Sequence, residues 1–236
     1  MNDVIYTTLI IIDRLLQAIS PHICKLCGRA GSPYCNGCTI YTIRQDYQVC
    51  LYCSKPTKQA NLCKACHKSR SPFVDLYCIN QRQDGLKRLI GDYKYRSQVA
   101  CARPIADMLS QRIKDLPSDT VVISVPTIAR HVRVRGFDHA ALLGWLLAKQ
   151  LKLKFDSQLI YRTNNLIQHN QSRAKRLRLI KTSIAVRHRL SMPKHVLLID
   201  DIWTTGATMS AVASLLKQSG VKNIYGAVAV RQPHHK

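Results

Sequence analysis

Two kinds of residue in this chain have a spacing that could do chemistry. The first is a pair of carboxylates. All 13 acidic residues are Asp, and only Asp200 and Asp201 stand side by side, in the stretch VLLIDDIWTTGAT at 196–208. The second is a set of cysteines: eight of the ten fall into four C-x-x-C pairs, Cys24/Cys27, Cys35/Cys38, Cys50/Cys53 and Cys63/Cys66.

The acid pair follows a run of apolar residues of the type found in a central parallel strand, read here as ending at Asp200. Ahead of a helix expected to begin near Thr208 lies a short loop, Thr204, Thr205 and Gly206. N–H groups at a helix start have no partners inside the helix, and the helix dipole favours an anion there. Hydroxyls from the Thr residues of the stretch add donors, and Gly206 lets a ligand approach the backbone closely. A phosphate monoester fits that cup. Two carboxylates beside it suit the vicinal hydroxyls of a sugar, directly or through Mg²⁺. Together they describe a site for a phosphorylated ribose. Trp203, an indole next to the loop, is expected to cover the ribose or to line a second-substrate pocket.

A C-x-x-C knuckle presents two thiolates to one tetrahedral zinc, and two knuckles close a four-cysteine site. Closed sites of this kind fold segments too small to fold alone. The spacing predicts two structural zinc ions, paired either sequentially or by an interleaved cross-brace. Cys78 and Cys101 fall outside the pattern and read as small apolar residues.

The elements that must position these residues follow from periodicity. Val4, Ile5, Leu9, Ile12, Leu15, Leu16 and Ile19 share a helical face and predict a packing helix ending before Pro21. Strands are expected at VDLYCIN, TVVISV (120–125), FDSQLIYR, KTSIAVR, HVLLID and NIYGAVAV. Helices are expected over 84–114, 137–151 and TMSAVASLLKQSG, the last stopped by Gly220. Strands alternating with helices give an α/β class: a doubly wound, mostly parallel sheet with a small Cys-rich zinc-binding domain ahead of it. The boundaries read as a helix at 1–20, a double zinc knuckle at 21–70 and the α/β domain at 71–236. In such sheets ligands bind beyond the carboxyl ends of the strands, which is where the acid pair sits.

The balance of 36 Lys+Arg against 13 acids gives +23 and a pI near 10.0, which favours polyanionic partners. Between Arg130 and Lys194 there are 15 Lys/Arg and only Asp138 and Asp156 as acids. No stretch approaches transmembrane length and the N-terminus lacks a basic leader region, so a cytoplasmic protein is expected.

VLLIDDIWTTGAT resembles the phosphoribosyl-pyrophosphate (PRPP) motif of type I phosphoribosyltransferases. The whole chain resembles the ComF family of competence-associated, phosphoribosyltransferase-like proteins. The resemblance rests on the knuckles, on KYRSQVACARPIADML at 94–109, on VPTIARHVRVRGFDHA at 125–140, and on Gln168 with Arg173 and Arg176. It implies a type I phosphoribosyltransferase sheet and a reaction at the anomeric carbon of PRPP, with Mg²⁺ and loss of pyrophosphate. Asp200 and Asp201 would hold the ribose, residues 204–208 the 5′-phosphate, and a loop carrying Arg133 and Arg135 the pyrophosphate. Residues 163–181 would form a flap closed by Arg173 and Arg176. The chain departs from the family at Asp138-His139, where Asn-Gln is usual, and at Lys175, where an acid commonly stands. The resemblance also implies a role in DNA uptake. The alternative is a non-catalytic module that senses PRPP or binds single-stranded DNA through its basic face. No residue stands out as a general base or a base-selective hood; His139 and His169 are the candidates, and neither is assigned the role.

Overall fold

The computed structural model describes residues 2–44, 49–57, 62–82, 84–163, 183–187 and 189–232. Its centre is a five-stranded, fully parallel sheet in the order β1-β7-β6-β2-β3. The strands are β1 (Leu76–Gln81), β2 (Val121–Ser124), β3 (Lys154–Phe155), β6 (His195–Trp203) and β7 (Asn223–Arg231). Two further strands, β4 (Ile160–Arg162) and β5 (Ile184–Val186), pair antiparallel as a separate ribbon. The strand expected from FDSQLIYR is split, with Phe155 ending β3 of the main sheet and Ile160–Arg162 forming β4, and the strand expected from KTSIAVR is β5, outside the main sheet.

Helices cover both faces, which explains why the central strands are apolar on both sides. One face carries α3 (Asp84–Tyr95), α4 (Ala102–Ser110) and α6 (His139–Leu151). Their Leu89, Met108 and Leu143 pack on Leu197 and Ile199 of β6. The other face carries α7 (Ala207–Gln218), whose Val212 and Leu216 pack on Val196 and Leu198. The expected single helical stretch over 84–114 is two helices. The chain breaks after Tyr95 at Ser97 (φ 55°) and re-enters through a 3₁₀ turn at Val99–Cys101. Cys78 and Cys101 are buried as expected.

The N-terminal helix α1 (Asn2–Gln17) forms, but its packing face is not the predicted one. Tyr6, Leu9 and Ile10 meet the core, whereas Val4, Ile5, Ile12, Leu15 and Leu16 stay exposed. Polar anchors set the rotation. Trp145 Nε1 donates to Asp3, Tyr6 stacks at 5.8 Å on the same indole, and His22 pairs with Asp13 at 3.2 Å. Among the described residues no helix is long and apolar enough to cross a membrane.

Both cysteine groups pack against the sheet domain rather than standing apart from it. Cys24, Tyr34 and Cys38 join the core of the α3–α4–α6 face, while Leu51 joins that of the α7 face. A nine-residue helix, α2 (Asn36–Arg44), follows the first group.

Candidate sugar-phosphate site and cysteine centres

Strand β6 does not stop at Asp200. Its pairing to β7 continues through Ile202↔Val230 and Trp203↔Arg231, so the acid pair lies inside the strand's last half. The correction matters, because successive residues in a strand point to opposite faces. Asp201 therefore shares a face with Leu197 and Ile199, and there α3 and α6 reach it. Lys94 Nζ donates at 2.9 Å to Asp201 Oδ1 and lies 2.7 Å from Oδ2, and His139 Nε2 stands 2.9 Å from Oδ2. Arg135 Nη1 is 2.9 Å from His139 Nδ1. A guanidinium only donates, so Nδ1 is the acceptor of this bond. Asp201 is 3% exposed. Burial raises its carboxyl pKa, but the His139 hydrogen bond and the Lys94 charge outweigh that and hold it well below the usual carboxylate range.

Asp200 has the opposite environment. It is half-buried, and its Oδ1 accepts only the Asp201 N–H at 2.8 Å among the bonds described. Burial and the neighbouring Asp201 charge push its carboxyl above the usual range. Adjacent carboxylates are thus divided by the pleat into one that is locked and one that is available. Arg162 on β4 is held by its Nε bond to Pro126 O at 2.8 Å and lies within the electrostatic reach of Asp200.

Past Trp203 the chain turns through exposed Thr204 and Thr205 to Gly206, which precedes α7 at φ 69°. No side chain caps this helix at Gly206 itself, and Ala207 N donates to Thr205 Oγ1 at 3.4 Å. The Thr208 and Met209 N–H groups have no acceptor among the described bonds and are open to a ligand. The glycine is required twice over. Its φ is left-handed, and a Cβ there would stand 2.0 Å from Trp203 Cζ2. Trp203 is the floor of this loop rather than a cover for a sugar. It is 2% exposed, edge-on to Phe73 at 6.2 Å and 6.4 Å from the Tyr52 ring.

Because β2 pairs with β6, the segment after β2 lies beside the acid pair, and Val125 N donates to Ile199 O at 2.9 Å. The expected arginine-bearing loop is partly helical there, as α5 (Ala129–Arg135), which Gly136 ends at φ 81°. Arg133 is exposed, while Arg135 is committed to His139. Asp138, the departure from the family pattern, caps α6 by accepting from Ala141 N at 3.1 Å and also accepts from Thr127 Oγ1 at 2.8 Å. Its carboxylate is used in holding the turn. Gln168, His169, Arg173, Lys175 and Arg176 lie outside the described residues, as does all of the expected flap except Thr163.

Sequence reasoning missed Lys94 and the role of His139. Lys94 opens the 94–109 stretch and is 107 residues from Asp201 in sequence, so only the fold brings them together.

The cysteines converge sequentially. The sulfurs of Cys24, Cys27, Cys35 and Cys38 lie within 4.8 Å of one another, as do those of Cys50, Cys53, Cys63 and Cys66. Backbone donors point at the sulfurs, with Cys35 N 3.5 Å from Cys24 Sγ and Cys63 N 3.3 Å from Cys50 Sγ. Two closed four-thiolate sets with N–H···S support fit two structural zinc ions.

Residues 98–236 match the model of the phosphoribosyl transferase domain. The chain belongs to that family. Within it the relatives are ComF-type proteins. It is 30% identical over 213 residues to the DNA utilization protein YhgH of Escherichia coli O157:H7, covering 86% of this chain and 87% of that one. Competence protein F of Haemophilus influenzae is 26% identical over 200 residues, covering 80% and 86%. Competence protein ComFC of Bacillus subtilis is 23% identical over 194 residues, covering 79% and 78%. The knuckles, the parallel sheet and the transferase domain make this chain a ComF-family protein.

Proposed function

We propose that this ComF-family protein binds PRPP with Mg²⁺ and transfers its phosphoribosyl group to a nucleophilic acceptor, in the cytoplasm and in the service of DNA uptake. One observation carries the reading: a half-buried, available Asp200 next to a helix start that no side chain caps at Gly206. A diol acceptor and an anion cup, side by side, complement a ribose 5-phosphate.

In this reading the loop from Thr204 through Gly206 and Ala207 to Thr208 receives the 5′-phosphate, and Asp200 receives the ribose hydroxyls. Asp201 anchors Lys94 and His139 at the same strand end and lends its charge to the sugar. Arg133 and Arg135 face the pyrophosphate side, with Arg173 and Arg176 as the flap's contributors. The bond from the anomeric carbon to pyrophosphate breaks as the bond to the acceptor forms, through an oxocarbenium-like transition state. The protein's part is positioning and charge stabilisation. Mg²⁺ suits this donor set, since it is held by one or two carboxylates plus substrate phosphates, and Asp200 is the available carboxylate. When bound it would neutralise the leaving pyrophosphate. The names of the relatives, "DNA utilization" and "competence", together with a charge of +23, support single-stranded DNA as a second partner.

Calorimetric titration with PRPP and Mg²⁺ tests the site. Saturable binding by the wild type is expected. The Asp200→Asn/Asp201→Asn double variant should lose at least about 2 kcal/mol, the scale of charge-assisted hydrogen bonds. Absence of wild-type binding would overturn the reading.

A further inference from the structure

A cluster of basic side chains lines a cleft distinct from the sugar-phosphate site. The cleft, of about 800 Å³, runs along the outer side of α3 where the first cysteine knuckle approaches it. Its walls carry Lys25, Arg82, Lys87, Arg88 and Arg96 against two acids, Asp84 and Asp92. Asp92 is neutralised locally: Lys25 Nζ is 2.7 Å and Arg96 Nη1 3.5 Å from its carboxylate. Arg88 reaches Lys25 O at 3.4 Å, so the knuckle and the helix hold one another across the cleft. Arg82 Nη1 donates to Gln232 at 3.0 Å. Lys87 is exposed and has no acidic partner among the described residues.

Charge alone would suit any polyanion, but two features of α3 narrow the choice. Tyr95 leaves its ring 62% exposed at the cleft. One turn earlier, on the same side of the helix, stands Gly91, where an added Cβ would meet nothing within 4 Å. A glycine in mid-helix costs stability, and here no neighbouring group requires it. What it leaves is a notch beside an exposed aromatic ring, flanked by cations. That is the arrangement by which an unstacked base lies on a side chain while its backbone follows positive charge. A duplex keeps its bases stacked and offers no face to such a ring.

We infer that the cleft between the first cysteine knuckle and α3 binds single-stranded nucleic acid, with Tyr95 and Gly91 forming a base slot and Lys87, Arg88, Lys25 and Arg82 following the phosphates. The inference rests on the reading of single-stranded DNA as a partner and gives it a place. Lys94, three residues after Gly91, reaches Asp201 from the edge of the same face, so α3 joins the strand-binding cleft to the sugar-phosphate site.

The test is fluorescence anisotropy with a labelled oligothymidylate of about 15 nucleotides, a length suited to a small single-strand site. The wild type should bind with strong salt dependence. Lys87→Ala/Arg88→Ala should weaken binding about tenfold or more and reduce the log–log salt slope by about 1.4, at ~0.7 per phosphate contact. Tyr95→Ala and Gly91→Leu should each weaken it several-fold and leave that slope unchanged. Gly91→Leu is informative because it should raise the melting temperature, so its binding loss cannot come from unfolding. Lys217→Ala/Lys222→Ala, an equal charge change at exposed positions elsewhere, should bind as the wild type does. If the wild type binds and the cleft variants match it, the cleft is not the site. If the wild type does not bind at all, the DNA-partner reading falls with it. If a duplex of equal length binds as well, and Tyr95→Ala is silent, single-strand recognition is overturned.

Discussion

The two cysteine groups open with knuckles, Cys24/Cys27 in the first and Cys50/Cys53 in the second, that are built alike and used differently. Each opens with the same turn, offset by 26 positions: Gly28 N donates to Cys24 O and Ser54 N to Cys50 O, both at 3.0 Å. Cys24 N meets Arg29 O and Cys50 N meets Lys55 O, both at 2.8 Å. Even the left-handed position repeats, as Gly28 (φ 77°) and Ser54 (φ 65°). The difference is the pair of residues between the cysteines. In the first knuckle they are Lys25 and Leu26. Leu26 packs so closely on Gly85 that a Cβ there would come within 2.6 Å, and Lys25 reaches Asp92 in the basic cleft. In the second they are Leu51, fully buried, and Tyr52, set against Trp203. Arg231, opposite Trp203 on β7, donates to Cys50 O at 3.3 Å and to Ser54 Oγ. The lesson is that metal-ligand spacing specifies a turn, while the residues inside the turn decide which surface it supports. The first knuckle supports the basic cleft along α3, and the second supports the loop from Thr204 to Gly206.

The strongest way to break this comparison is to remove one metal at a time. Zinc analysis should return two ions per chain, one for each thiolate group. Cys53→Ser should remove the second ion and release Tyr52 from Trp203. Because a closed zinc site supplies folding free energy of order 10 kcal/mol, the whole turn should loosen. PRPP affinity should fall at least about tenfold and Trp203 emission should shift to the red, read in a Trp145→Phe background. Cys27→Ser, in the first knuckle, should lower oligonucleotide binding and leave PRPP titrations close to wild type. Equal effects of both variants on PRPP would show that the knuckles are interchangeable scaffolds.

Gly206→Ala should have the next largest effect. It combines a left-handed φ, at roughly 1–2 kcal/mol, with a Cβ driven into the Trp203 ring, at about 1–3 kcal/mol of overpacking. A loss of about 2 kcal/mol or more in thermal or denaturant unfolding is expected, with PRPP binding reduced further. An unchanged melting curve would mean that the indole floor yields easily, and that the second knuckle does not set the loop's shape.

The fold was largely legible in the sequence because its signals are local. A four-residue apolar run marked β6 and a β-branched run marked β2, and four C-x-x-C pairs marked two thiolate sets. The site was legible only as a list. VLLIDDIWTTGAT identified the right turn, but periodicity ended the strand at Asp200 because two charges in sequence look like an exit from a core. In the fold the strand continues, since Ile202 and Trp203 still pair with β7 and Asp201 finds Lys94 and His139. Those partners come from α3 and α6, which no local pattern connects to β6. Trp203 was misread for the same reason: adjacency to a ligand loop says nothing about the side on which an indole packs. The rotation of α1 was set by Asp3, Asp13 and Trp145, polar anchors that a count of apolar positions ignores.

The smaller effects sharpen the contrast at single side chains. Tyr52→Ala removes one aromatic neighbour of Trp203 and should cost about 1–2 kcal/mol of stability, aromatic pairing contributing roughly 0.5–1.5 of it. PRPP should bind several-fold more weakly, because the loop rests on that ring. Lys25→Ala is the matched change in the first knuckle. It breaks a partly exposed ion pair, so stability should move by no more than about 1 kcal/mol and PRPP binding not at all. Oligonucleotide binding should drop by more than the loss of one cation explains, because Asp92 loses its closest counter-charge and then repels the strand's phosphates. The added substitution Asp92→Asn should recover part of that loss. If Lys25→Ala weakens PRPP as much as Tyr52→Ala does, the two knuckles support one surface rather than two.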